Sequence, residues 1–108
     1  RMLIRNAGEY PIANLSIKLT LNNDNISDIK IFVGSVEERP KAWSSLENEL
    51  RGTQFNPQSV RELAKLHLSC FTGRDGADAP GWYRVRVLPK MICSAFQEIN
   101  TSIIKPKN

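Results

Sequence analysis

The chain has 108 residues, 41% hydrophobic and 24% charged, which suits one domain with a buried core and excludes compositional disorder. No apolar run reaches the roughly 18 residues of a membrane helix, and no charged segment followed by an apolar one resembles a signal peptide. The net charge of +4 arises entirely after residue 83, where Arg84, Arg86, Lys90, Lys105 and Lys107 face only Glu98. That end is too sparse in basic and aromatic residues for a nucleic-acid surface, so no nucleic-acid partner is expected.

In chain order, Met2–Arg5 reads as a short edge strand. Ile17, Leu19 and Leu21 alternate with Ser16, Lys18 and Thr20, the period-two signal of a half-buried strand. Asn22-Asn23-Asp24-Asn25 follows, a run whose side chains bond the local backbone and predict a turn. Ile29, Ile31 and Val33 alternate with Asp28, Lys30 and Phe32 in a second strand, and Glu37–Glu49, with Pro40 and Trp43, reads as a long connection. Asn56-Pro57 and Ser59-x-x-Glu62 resemble a helix start, so one helical turn is predicted before a strand through Leu66, Leu68 and Cys70. The glycine-rich Thr72–Gly81 is a second connection. Tyr83, Val85 and Val87 then alternate with Trp82, Arg84 and Arg86, which turns both arginines to solvent, and Phe96–Ile104 closes the sheet.

These readings predict an all-β fold, an antiparallel β-sandwich over residues 1–104 with a basic tail at 105–108. Ile17, Leu19, Leu21, Ile29, Ile31, Val33, Leu66, Leu68, Val85 and Val87 supply its predicted core. The start at Arg1 rather than Met marks a processed product or a domain cut from a longer protein.

The residue types that carry chemistry are few. Cys70 and Cys93 either form a disulfide, which would add about 3 kcal/mol in the chain-entropy model, or pack as thiols. With one histidine, His67, and no C-x-x-C, no zinc site is expected. The loop Gly73-Arg74-Asp75-Gly76-Ala77-Asp78 offers two carboxylates, a weak calcium signal for which a flexible turn is preferred. His67 between two leucines is read as a sheet-surface histidine, and no catalytic motif is present, so no enzyme and no cofactor are expected. Three N-x-S triplets, at Asn14, Asn25 and Asn100, suit a secreted protein and arise equally well by chance.

The order of strands resembles the second half of a galactose-binding-like jelly roll, the fold of discoidin domains and fucose-binding lectins. The segments that carry the resemblance are Ile29-Lys30-Ile31-Phe32-Val33-Gly34-Ser35, the Trp43 loop, Leu66–Cys70, Gly81-Trp82-Tyr83-Arg84-Val85-Arg86-Val87 and Cys93–Ile104. Where the fucolectins carry an R-x-D triplet, Asn22-Asn23-Asp24 keeps Asp24 and lacks the arginine, so fucose specificity is not implied. The resemblance implies a noncatalytic, glycan-binding recognition module of a larger or secreted protein, and the N-x-S triplets and possible disulfide favour an extracellular one. Glycan binding asks for polar groups beside an aromatic face, and Asn22, Asn23, Asp24, Asn25, Arg39 and Trp43 form the expected site if their loops converge. The alternative is an intracellular protein-interaction or structural β-sandwich without a sugar site.

Overall fold

The computed structural model describes residues 2–9 and 12–104, which build an antiparallel sheet covered on one face by helices. The strands β1 (Met2–Glu9), β2 (Ala13–Asn22), β3 (Asn25–Gly34) and β4 (Lys41–Ala42) lie side by side in chain order. The helices α1 (Ser44–Leu50), α2 (Pro57–Leu66), α3 (Gly81–Arg86) and α4 (Leu88–Ile104) follow.

β2 and β3 are strands because their branched apolar residues recur every second position and so share one face. Ile17 lies opposite Ile31 and Leu19 opposite Ile29, all of them fully buried. The turn needs a left-handed residue, and Asn23 takes it with φ 58°. A bulge follows: Thr20 faces Asp28 while Leu21 faces Ile26, which leaves Ser27 as an extra residue. The bulge lets Ile26 and Ile29, three positions apart, both point inward.

β4 pairs with only two residues of β3, and a helix completes the edge. Trp43 donates its backbone N–H to the Ile31 carbonyl at 2.8 Å, and the buried carboxylate of Glu47 accepts the Ile31 N–H at 2.8 Å. Backbone groups of a buried strand must find partners, and here a side chain of α1 supplies one.

The helical layer is built on a different period. In α2, Asn56 accepts from the N–H groups of Gln58 and Ser59, Pro57 occupies the first turn, and Val60 and Ala64 face inward. In α4, Leu88, Met91, Ile92, Ala95, Phe96 and Ile99 form one apolar stripe with steps of three and four. α4 packs on α2 and β1, and Phe96 stacks on Phe55 with ring centroids 4.9 Å apart. Sheet and helices share one contiguous core.

The all-β sandwich is therefore corrected to a mixed α/β fold of two layers. β2, β3 and the Asn22–Asn25 turn stand where the alternation and the Asn-rich run put them, the edge strand expected at Met2–Arg5 runs on to Glu9 as β1, and Ile17, Leu19, Leu21, Ile29, Ile31 and Val33 are core residues. The strands predicted at Leu66–Cys70, Trp82–Val87 and Phe96–Ile104 are not strands: α2 runs through Leu66, which is 74% exposed, and the other two segments are α3 and α4. Leu68, Val85 and Val87 are half-buried beside the core. The connection predicted at 37–49 holds β4 and all but the last residue of α1. The tail at 105–108 lies outside the described residues.

Candidate functional site

The densest polar construction lies where β3 ends. Gly34 approaches Asn14 of β2 so closely that a side chain there would displace the Asn14 carboxamide. Ser35 follows with φ 69°, an uncommon conformation for a residue with a Cβ, and its hydroxyl accepts from Asn14 Nδ2 at 3.2 Å. Next comes Glu37, whose carboxylate accepts three hydrogen bonds: from the Thr72 N–H and hydroxyl, each at 2.9 Å, and from the Gly73 N–H at 2.7 Å. Burial pushes the Glu37 carboxyl up, but these bonds and the charge of Lys41 outweigh it and hold the group below the usual glutamate range.

The glycine-rich loop then carries the contact to α3. Gly73, at φ 78°, packs backbone against backbone with Gly81, and a Cβ on Gly81 would sit 2.6 Å from the Gly73 carbonyl oxygen. Asp75 accepts the Gly81 N–H at 2.6 Å, and the Arg74 N–H bonds the Val36 carbonyl at 2.7 Å. One turn along α3, Arg84 is fully buried and returns to the sheet. Its Nη1 donates to the Ile12 carbonyl at 2.9 Å and to the Ser35 carbonyl at 3.1 Å. The chain of contacts is closed: the end of β3, Glu37, Gly73, Gly81, α3, Arg84, and back to Ser35. It fixes loop positions, and the Thr72 hydroxyl on the Glu37 carboxylate is one of its ties.

Sequence reasoning placed Arg84 on a solvent-facing strand, and the structure corrects this. Glu37, Gly73 and Gly81 were read only as loop residues. The signal for Gly73 and Gly81 is the glycine-rich stretch 72–81, which marks close backbone approach as readily as flexibility; Glu37 has none.

The glycan-site residues are not brought together. Asn22, Asn23, Asp24 and Asn25 are exposed at one end of β3, and Arg39 is exposed in the loop beyond its other end. Ten strand residues, about 30 Å, separate them. Trp43 is fully buried, donates Nε1 to the His67 carbonyl at 2.8 Å and meets Phe71 edge to face, so no stacking surface is open. Cys70 and Cys93 are free thiols, one half-buried after α2 and one buried in α4. In the loop offered for calcium, Asp75 is occupied by Gly81. Among the described residues no three His, Cys, Asp or Glu side chains converge on a metal-sized site. His67 ends α2 rather than standing on a sheet, with Nε2 3.2 Å from Glu49. No helix of the described residues is long and apolar enough to cross a membrane.

The chain is 26% identical over 99 residues to the glyceraldehyde dehydrogenase medium chain of Sulfolobus acidocaldarius, which covers 92% of this chain and 35% of that one. Two solved structures share its fold at 14% identity and a TM-score of 0.77. One is quinoline 2-oxidoreductase from Pseudomonas putida 86, covering 90% of this chain and 36% of that one. The other is carbon monoxide dehydrogenase from Hydrogenophaga pseudoflava, in a form that lacks the Mo-pyranopterin moiety, covering 89% and 36%. The chain thus spans about a third of the length of these relatives.

These findings overturn the likeness to discoidin domains and fucolectins, and with it the lectin reading, the glycan partner and the expectation of no enzyme. The relatives are named as oxidoreductases or their chains, and the matching family is named for a flavoprotein, which also overturns the expectation of no cofactor. The family model of the CO dehydrogenase flavoprotein C-terminal domain matches residues 1–99, and the chain belongs to that family.

Proposed function

We propose that the chain is the C-terminal domain of the flavin-carrying subunit of a molybdenum-hydroxylase-type dehydrogenase, and that it supports the flavin site without holding the flavin by itself. The carrying observation is the family match over residues 1–99, joined to a fold whose polar cluster is spent on internal contacts. FAD needs N–H groups free to meet its pyrophosphate and an apolar slot for its ring system. The first N–H groups of α2 are taken by Asn56 and that of Gly81 by Asp75. The cleft near Glu37 is open and lined by Ser35, Glu38, Pro40, Arg74 and Asp75, with Pro40 the one apolar side chain against which a ring could lie. These places therefore do not fit FAD, and on this reading its main contacts belong to the rest of the subunit.

The domain is also a poor place to choose a substrate. Its relatives are named for carbon monoxide, glyceraldehyde and quinoline, three unlike molecules, yet each matches this domain in fold or in sequence. Its own contribution is rigidity: the ring through Glu37, Gly73 and Arg84 holds the end of the sheet in one shape.

The test is to purify the full-length subunit that carries this domain and the 108-residue domain alone, and to record flavin absorption and FAD titrations for both. Flavin in the subunit and no binding by the domain is the expected result. Tight FAD binding by the isolated domain would overturn the supporting role, and a full-length subunit free of flavin would overturn the whole reading.

A further inference from the structure

The two edges of the sheet are finished differently. Beyond β3, the Trp43 N–H, the Glu47 carboxylate and Arg51 Nη2 take up backbone groups of Ile31 and Ile29. β1 is the outer strand of the other edge, and its register with β2 is unbroken over eight pairs, with no bulge or proline to blunt it. Such a strand turns half of its N–H and C=O groups away from its one neighbour, and a long regular edge is a template for another strand. Residues 5–8 of β1 and Lys90, Ser94 and Glu98 of α4 line an open groove along this edge. The three α4 residues are exposed and stand four apart, so they form one row along the helix. Glu98 pairs with Arg5 across the groove, while Lys90 joins none of the ion pairs among the described residues.

We infer that this edge takes a second copy of the same chain about a twofold axis, with β1 antiparallel to β1 and α4 antiparallel to α4. The charge order of the row chooses this occupant. From Lys90 to Glu98 it runs cation, hydroxyl, carboxylate, and reversed it is its own complement, so a twofold through Ser94 sets each Lys90 against Glu98 of the second copy. Each Glu98 then lies between Arg5 of its own chain and Lys90 of the second copy. Arg5, tied to Glu98 about 6 Å along the helix from Ser94, stays off the axis, so the two arginines are not opposed. The same rotation joins the β1 edges with both helical layers on one side of a continuous sheet. An extended segment of a longer polypeptide answers only the backbone of β1, whereas a second copy necessarily carries the reversed row as well. This contact needs neither flavin nor any other subunit.

The test is sedimentation velocity on the full-length subunit that carries this domain, as the unmodified protein and as Lys90→Glu and Glu98→Lys. The unmodified subunit is expected to dimerise. Each substitution sets like charges against each other twice across the twofold, so each variant alone should dimerise about tenfold more weakly. Its circular dichroism should be unchanged, because both side chains are exposed. Mixing the two variants restores opposite charges at both contacts, and a mixed dimer of near-original affinity is expected. A strand from the rest of the polypeptide predicts no such recovery. A monomeric unmodified subunit would overturn the inference, as would a dimer that both substitutions leave intact or a mixture that stays monomeric. Hydrogen exchange reads the edge itself: outward amides of β1 that are slow in the dimer and fast in monomeric Lys90→Glu agree with the pairing. Equal protection in both assigns the edge to the rest of the polypeptide and overturns the inference.

Discussion

Two segments of this chain share one sequence pattern and have opposite fates. Ile17, Leu19 and Leu21 alternate with polar residues and form the central strand, while Tyr83, Val85 and Val87 alternate with Trp82, Arg84 and Arg86 and form a helix. The difference lies in length and neighbours. β2 carries its alternation from Ala13 to Leu21 and has a partner strand on each side, so a strand buries every apolar residue it holds. The Trp82–Val87 pattern is only six residues long, begins just after a proline, and runs directly into the three-and-four stripe of α4. A short alternation fits both periods, and the neighbouring helix decides between them.

The most severe way to break the comparison is at Arg84, which β2 has no counterpart for. Arg84→Ala leaves the Ile12 and Ser35 carbonyls without that donor, and is expected to destabilise the domain by about 3–5 kcal/mol in urea unfolding. A loss under 1 kcal/mol would place the arginine on the surface, as a strand reading requires. Next in size is a matched pair of truncations. Ile17→Ala should cost about 3 kcal/mol because Ile17 is fully buried, and Val85→Ala about 1 kcal/mol because Val85 is half-buried at the margin. Equal costs would erase the difference between the two segments.

Gly73→Ala tests the loop that docks α3. The backbone of Gly81 occupies the space and the φ of 78° is unfavourable for alanine, so a loss of about 2 kcal/mol is expected by the same assay. Asn56→Ala, which removes the cap of α2, should cost about 1 kcal/mol and lower helicity by circular dichroism. The smallest effect is the pH dependence of Glu37. Its carboxyl sits below the ordinary glutamate range when folded, so its contribution is present in full above that range and is lost as pH falls through the lowered value. Denaturation midpoints measured from neutral to acid pH should fall less steeply for Glu37→Gln than for the unmodified domain.

The hairpin of β2 and β3, its Asn-rich turn and six core residues were legible because each is a local property: side-chain period two, and an asparagine that tolerates the left-handed region. The cap at Asn56-Pro57 was legible too, but the helix it opens was cut short. Val60, Leu63 and Ala64 mark its inner face in steps of three and one, while Leu66, Leu68 and Cys70 mimic a strand. In α4, Ile99 and Ile103 are four apart, a spacing that satisfies strand and helix alike, and only the stripe running back to Leu88 resolves it.

None of the polar cluster could be read this way. Glu37 and Gly73 are 36 positions apart, and Arg84 and Ile12 are 72 apart. Which charged residue goes inside depends on which carbonyls the fold leaves without partners, and that exists only once sheet and helices have met. By itself the sequence determined the central hairpin, its inward face and the balance of charge, since these follow from side-chain size, branching and ionisation at neighbouring positions. The tertiary structure alone decided that the second half is helical, that Arg84 and Glu47 are buried, and that α4 lies beside the open edge of β1. Those outcomes depend on packing and hydrogen bonding between segments distant in the chain, and no local period encodes them.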